Sequence, residues 1–231
     1  MIKNETVSIV IPMHNEEKNI DWLLKEIINV LKKMGLKFEI IPVNDVSIDD
    51  TGKIINNWSR KYSFIKPIHR KGERGVGRAL KSGFKKASGD VIVTMDGDFS
   101  HDPKEIPILL KKMENTNADL ILGSRYIEQG EIHHKLSRKI ISKGFNLFAK
   151  FLIGIDVNDL TTGFRAHKKK LLADLDLKSD GFDIHVEIPI KAFKKGYKIR
   201  EVPIHYLRRK YGKSKLKYTK VWFSYIKHIF D

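Results

Sequence analysis

With 231 residues, 41% of them hydrophobic and 10% aromatic, the chain is long enough for one sizeable core, and one domain is expected. It has no cysteine, which excludes disulfides and thiolate metal sites; no stretch approaches the roughly 18 to 20 apolar residues that span a bilayer, and no basic leader followed by an apolar run opens it, so a soluble or peripheral, non-secreted protein is expected. The 44 Lys and Arg against 28 Asp and Glu leave a formal charge of +16, which favours nucleic acid, anionic lipid headgroups or phosphorylated substrates, unless the excess is merely solvated.

In chain order, Thr6 to Ile11 reads as a first strand closed by Pro12. Ile20, Leu23, Leu24, Ile27, Ile28 and Leu31 then form a helical stripe that ends near Gly35. Phe38 to Val43 is a second strand, followed by an acidic turn over Asn44 to Thr51 and a helix to about Arg60. Phe64 to Ile68 is a weaker third strand. A helix from about Val76 to Ala87 leads into the apolar run Val91 to Met95, which has the length and β-branching of a buried strand. Repeated βα units imply an α/β fold with a parallel sheet and right-handed crossovers.

Further on, the pattern predicts a helix near Pro103 to Met113, a strand Asp119 to Gly123, a helical region near Glu187 to Lys195 and a strand Ile199 to Leu207. Leu136 to Gly154 mixes Ile140, Ile141, Phe145, Leu147, Phe148, Phe151, Leu152 and Ile153 with Arg138, Lys139, Lys143 and Lys150. That composition suits an amphipathic helix in a lipid interface, and it equally suits a helix packed on the sheet. The same pair of readings holds for 217–231, where Tyr218, Val221, Trp222, Tyr225, Ile229 and Phe230 share one helical face; the expected division is a domain over 1–216 and an amphipathic C-terminal helix over 217–231.

Asp96-Gly97-Asp98 stands just past the run Val91 to Met95, where an α/β sheet presents its ligand crevice. Residues two apart in extended chain face the same side, so both carboxylates can address one hard cation, Mg²⁺ or Mn²⁺, whose remaining oxygens a diphosphate supplies. On these three residues alone an Asp-Gly turn with a flanking acid is the competing reading. Two more loops follow strands on the same sheet edge, Pro12-Met13-His14-Asn15-Glu16 and Asn44-Asp45 with Ser47, and their polar groups could hold a base and ribose. No Gly-x-Gly-x-x-Gly follows the first strand, the glycines at 72, 75 and 77 have the wrong spacing for it, and no Walker A lysine loop is present. His101, His133, His134 and His185 show no ligand spacing and are read as structural; Glu187 is left open between helix surface and site.

The segments Ile11 to Ile20, Asn44 to Thr51, Met95 to Pro103, Gly123-Ser124-Arg125-Tyr126, Asp159 to Arg165 and Arg209 to Lys215 stand in the order seen in family 2 glycosyltransferases. The set resembles dolichyl-phosphate mannose synthases and their glucosyl relatives most, and covers nearly the whole chain. The resemblance implies a GT-A fold, Rossmann-like with a mostly parallel sheet flanked by helices. It implies inverting transfer of a hexose, GDP-mannose being favoured over UDP-glucose as donor, to dolichyl or another polyprenyl phosphate at the cytoplasmic face of a membrane. Carried over by motif, Pro12, His14, Glu16, Asp45 and Gly97 would hold the donor, Asp96 and Asp98 the metal and diphosphate, and Arg209 and Lys215 the donor phosphates. Arg125, Arg138 and Ser142 would grip the acceptor phosphate, and Asp96, Asp98, Arg125 and Arg209 carry the catalytic roles. His14 stands where tyrosine is usual and Asn44 where an acid is usual, which bears on base identity. A transfer to a glycan hydroxyl and a basic nucleic-acid module are the alternatives; the latter lacks any RNA or recognition-helix signature, so no nucleic acid partner is expected. Retention by a small membrane-embedded partner subunit is compatible with the sequence.

Overall fold

The chain alternates strands and helices from its start, and the computed structural model describes residues 5–128, 131–132, 136–207, 225 and 227–228. β1 (Thr6–Met13), α1 (Ile20–Lys33), β2 (Lys37–Asp45), α2 (Thr51–Lys61), β3 (Ile68–Arg70), α3 (Val76–Lys86) and β4 (Val91–Thr94) form successive βα units. A 3₁₀ turn (Pro103–Glu105), α4 (Ile106–Thr116), β5 (Leu120–Ser124), β6 (Glu131–Ile132), α5 (Leu136–Ile153), β7 (Arg165–Lys168), α6 (Lys169–Asp174), α7 (Ile184–Lys194), β8 (Ile199–Pro203) and β9 (His205–Tyr206) complete the described elements. The main sheet has the order β3-β2-β1-β4-β7-β5-β8, and β6 pairs with β9 apart from it.

Every neighbour pair in the main sheet is parallel except those of β7, which runs antiparallel to both β4 and β5. The sheet is therefore mostly parallel, as expected, with a single reversed strand. Alternation along β1 sorts the core: Val7, Ile9, Ile11 and Met13 pack with the α1 stripe and with Ile106, Leu109 and Met113. Val10 points the other way, toward Ala79, Leu80, Ile184 and Ile188. All six apolar residues of the α1 stripe are buried, each contributing roughly 1.5–3 kcal/mol of transfer free energy.

Several boundaries differ from the sequence reading; the strand expected over Ile199 to Leu207 is divided between β8 in the main sheet and β9 beside β6. β1 continues through Pro12 to Met13 instead of closing at the proline. Val10 O accepts from Met95 N on the β4 side, and Pro12 faces that same side beyond the last β4 pair, so its missing N–H leaves no ladder bond unmade. The third strand forms at Ile68–Arg70, not over Phe64 to Ile68: Pro67 interrupts the run, and Ile65 keeps only an isolated bridge to Ile40.

On α5, Asn146 and Ala149 are buried, and Ile153 packs against the second core, while Leu147, Phe148, Phe151 and Leu152 are exposed. The helix thus both packs on the domain and turns an apolar face outward. Of the tail, Tyr225 and His228 are described and buried, with His228 Nε2 at 2.9 Å from Ser179 Oγ. No helix among the described residues is long and apolar enough to cross a membrane.

Candidate active site

Strand order reverses between β1 and β4, since β2 and β3 lie to one side of β1 and the later strands beyond β4. Ligands of doubly wound sheets bind outside the strand ends at such a switch point. A cavity of about 300 Å³ opens there, lined by Pro12, Met13, His14, Glu16, Asp45, Arg74, Gly75, Val76, Asp96, Gly97, Asp98 and Phe182. All three loops singled out from the sequence contribute to it.

Each loop carries one non-glycine residue in the left-handed region: Asn15 at φ 56°, Val46 at φ 57° and Phe99 at φ 65°. For β-branched Val46 this conformation is costly, and such strain concentrates at ligand sites. The first two loops are knitted together by side chains. Asn15 N donates to Ser47 Oγ at 3.0 Å, Glu16 N to Thr51 Oγ1 at 2.8 Å, and Ile48 N to Asn15 Oδ1 at 2.9 Å. Asn44 Oδ1 accepts from Ser47 N, and its Nδ2 meets His69 Nδ1. Asn44 and Ser47 therefore brace the rim and do not line the cavity, in contrast to the expectation that they face a nucleoside. Asp45 does line it; its carboxylate is paired with Arg70 and accepts from Gly75 N at 2.8 Å, which ties the segment before α3 to β2.

The acid pair has a framework of its own. Asp98 is buried, and its Oδ1 accepts from Ser100 N at 3.0 Å. Asp96 N donates to His101 Nδ1 at 3.2 Å, which leaves the proton of the neutral ring on Nε2. His101 is stacked on Phe164 and edge-on to Tyr206; burial, opposed by nearby Asp98, holds its pKa down to about 4. Burial, reinforced by the charges of Asp96 and Asp98, raises the Tyr206 phenol to about 12. Gly97 and Gly163 allow close approach: a Cβ on Gly97 would meet Met13 Cγ at 3.1 Å, and one on Gly163 would meet Asp96 Oδ1 at 3.1 Å. Among the described residues no three His, Asp or Glu side chains gather into a complete metal cluster. Two carboxylates at the cavity wall fit a hard cation such as Mg²⁺ or Mn²⁺ whose other oxygens come from a bound diphosphate.

Arg125 stands apart from the cavity lining. Its Nε and Nη2 reach Asp159 Oδ2 and Oδ1 at 2.7 and 2.8 Å, and Nη2 also reaches Thr161 Oγ1 at 2.7 Å. Asp159 is fully buried; burial would raise its pKa, but the Arg125 charge outweighs this and lowers it. Glu201 accepts from Asn158 N and Asp159 N at 2.9 Å each, so it holds the loop that holds Arg125. Glu187 resolves as structural: it is fully buried and accepts from Lys178 N, Ser179 N and Lys191 Nζ at 2.6–2.8 Å. Arg138 and Ser142 lie along α5, but their side chains, like all of Arg209, Lys215, His133 and His134, fall outside the described residues. Leu207 N donates to Ser100 O at 2.9 Å, so the described chain reaches position 207 beside the acid pair.

Four cavity residues had no role in the sequence reading: Arg74, Gly75, Val76 and Phe182. The arginine- and glycine-rich run 70–78 was the signal for the first three, since glycines before a helix mark a close backbone approach even where the dinucleotide spacing fails; nothing in the sequence around Phe182 marked it.

A sheet with its switch-point cavity flanked by paired acids on one side and polar strand-end loops on the other is the GT-A arrangement of nucleotide-sugar transferases. The chain belongs to glycosyl transferase family 2, whose model matches residues 8–176. It is 39% identical over 227 residues to the dolichol-phosphate mannosyltransferase of Pyrococcus furiosus, covering 97% of this chain and 62% of that protein. It is also 30% identical to the polyprenol monophosphomannose synthase of Mycolicibacterium smegmatis, covering 90% of this chain and 80% of that one. In fold it matches the glucosyl-3-phosphoglycerate synthase of Mycobacterium tuberculosis, solved with Mn²⁺, UDP and phosphoglyceric acid, with a TM-score of 0.78 at 19% identity over 97% of this chain and 78% of that one.

Proposed function

We propose that the protein transfers a hexose, mannose from GDP-mannose, to a polyprenyl phosphate, with Mg²⁺ or Mn²⁺ held by Asp96 and Asp98. The observation that carries this reading is the acid pair and the nucleoside-sized cavity at one switch point, in a chain whose curated relatives are named for mannosyl transfer to polyprenyl phosphates. The cation would neutralise the leaving diphosphate. Pro12, His14, Glu16 and Asp45 would enclose the nucleoside. Arg125, Arg138 and Ser142 would draw in the acceptor phosphate, and Arg209 and Lys215 would close over the donor phosphates beyond Leu207.

In the reaction the bond from the anomeric carbon to the diphosphate breaks and a bond to an acceptor phosphate oxygen forms on the opposite face. A phosphate monoester with a second pKa near 6 arrives largely ionised, so no proton has to be removed. His101, the histidine under the acid pair, is accordingly used as a prop and not as a base: it is fully enclosed, and its Nδ1 is taken by Asp96 N. Positioning and charge neutralisation supply the rate. Association with a membrane surface from its cytoplasmic side is supported by the charge of +16 and by the exposed apolar face of α5.

The test is transfer of label from GDP-mannose into an organic-extractable lipid phosphate. Chelation, or Asp98→Asn, should lower the rate by about a hundredfold or more. Label that stays in the aqueous phase on a glycan, or a rate indifferent to chelation, overturns the reading; faster transfer from UDP-glucose reassigns the donor.

A further inference from the structure

Arg74 lies sixty positions from His14 in sequence, yet its Nη1 is bonded to His14 Nε2. His14 Nδ1 in turn lies 2.9 Å from Asp45 O. A carbonyl only accepts and a guanidinium only donates, so both bonds are satisfied by one arrangement alone: the neutral ring with its proton on Nδ1. The guanidinium is thereby hung from the cavity wall. Its backbone is also fixed, because Asp45 takes both the Arg70 side chain and Gly75 N on either side of it.

The sheet sets which end of a ligand this arginine meets. The acid pair lies beyond β4, and Asp45 ends β2 with β1 between them. Two strand spacings are about 10 Å. A nucleotide whose diphosphate sits at Asp96 and Asp98 extends its base across β1 toward Asp45, His14 and Arg74. Arg74 is exposed and lines the cavity there, with Nε and Nη2 not engaged by His14.

We infer that Arg74, oriented by His14, is the base-reading residue of this site and selects guanine. A guanidinium offers parallel N–H groups that match two adjacent in-plane acceptors. Guanine presents such a pair in O6 and N7, whereas uracil separates its two carbonyls with an N–H. The inference rests on the nucleotide-diphosphate reading above and names the base within it.

The experiment is calorimetric binding of GDP, UDP and 7-deaza-GDP, each with Mg²⁺, to the full chain and to Arg74→Ala, Arg74→Lys and His14→Ala. The unaltered protein should bind GDP at least about tenfold more tightly than UDP or 7-deaza-GDP, the discrimination expected of one bidentate pair. In Arg74→Ala both ratios should fall below about threefold while the UDP affinity holds, and Arg74→Lys should narrow them part of the way, since an ammonium can reach the two acceptors but lacks the planar fork that His14 orients. His14→Ala should narrow the ratios as well. GDP and 7-deaza-GDP binding equally to the unaltered protein, or Arg74→Ala weakening GDP and UDP by the same factor, overturns this inference and leaves the donor class standing. Failure of every nucleotide to bind overturns both.

Discussion

The rings of Trp22 and Phe99 lie 3.8 Å apart and 4° from parallel, so α1 clamps the loop that carries the acid pair. Phe99 is left-handed at φ 65°, and that turn swings Ser100 N back onto Asp98 Oδ1. A stacked aromatic pair is worth about 0.5–1.5 kcal/mol beyond its burial. Trp22→Ala should therefore weaken the apparent affinity for Mn²⁺ in turnover by roughly two- to tenfold, with little loss of global stability because Trp22 is itself exposed. An unchanged metal titration would show that the clamp does not reach Asp98.

The Arg125–Asp159 fork separates stability from transfer. Asp159→Asn strips the charge partner from an enclosed guanidinium and should cost about 3–5 kcal/mol in urea unfolding. Replacing both partners, Arg125→Met with Asp159→Leu, should recover most of that loss while leaving lipid transfer abolished. Full transfer by the double variant would remove Arg125 from the acceptor site.

Glu39 governs the acid limb of stability. Burial would raise its pKa, but Lys66 at 2.5 Å, Ser8 Oγ at 2.6 Å and Ser88 N at 2.6 Å outweigh that and bring it to about 2. A depressed carboxylate stabilises the fold fully above its unfolded pKa near 4.5 and loses that contribution as pH falls toward 2. The amount is about 3 kcal/mol. Urea midpoints across that window should fall for the unaltered protein and fall less steeply for Glu39→Gln; parallel slopes would remove Glu39 from the account.

Leu147 and Phe151, 70% and 86% exposed, present the outer face of α5. Leu147→Ser with Phe151→Ser should reduce co-flotation with anionic vesicles several-fold, while soluble-donor binding by calorimetry stays constant. Equal flotation would place the membrane contact elsewhere.

The sequence carried the half of the sheet whose strands are apolar and the helix whose stripe is regular. Val91 to Met95 and the α1 stripe declare themselves because burial and periodicity act over adjacent residues. β7 did not: Arg165 and His167 are enclosed in its four residues, and polar side chains give no strand signal until the neighbours that enclose them are known. The acid pair was legible because a strand end fixes its position, whereas the Arg74–His14 contact joins loops sixty residues apart and exists only once β3 lies beside β2. Asn44 misled for a related reason. A polar residue at a strand end can serve the ligand or the neighbouring loop, and the choice lies in the partner segment.

The reversal of β7 determines what borders the acids. Because the strand runs backward, the residues that precede it, and not those that follow, arrive at the ligand edge: Gly163 O accepts from Thr94 Oγ1 at 2.8 Å, and Gly163 lies against Asp96. A slip of one residue would carry this lip about 3.3 Å along the sheet and exchange the faces of Arg165 and Ala166. Registry between β4 and β7 is thus a gauge for the aperture at the carboxylates, and insertions between 159 and 168 should be far less tolerated than insertions at the opposite edge of the sheet.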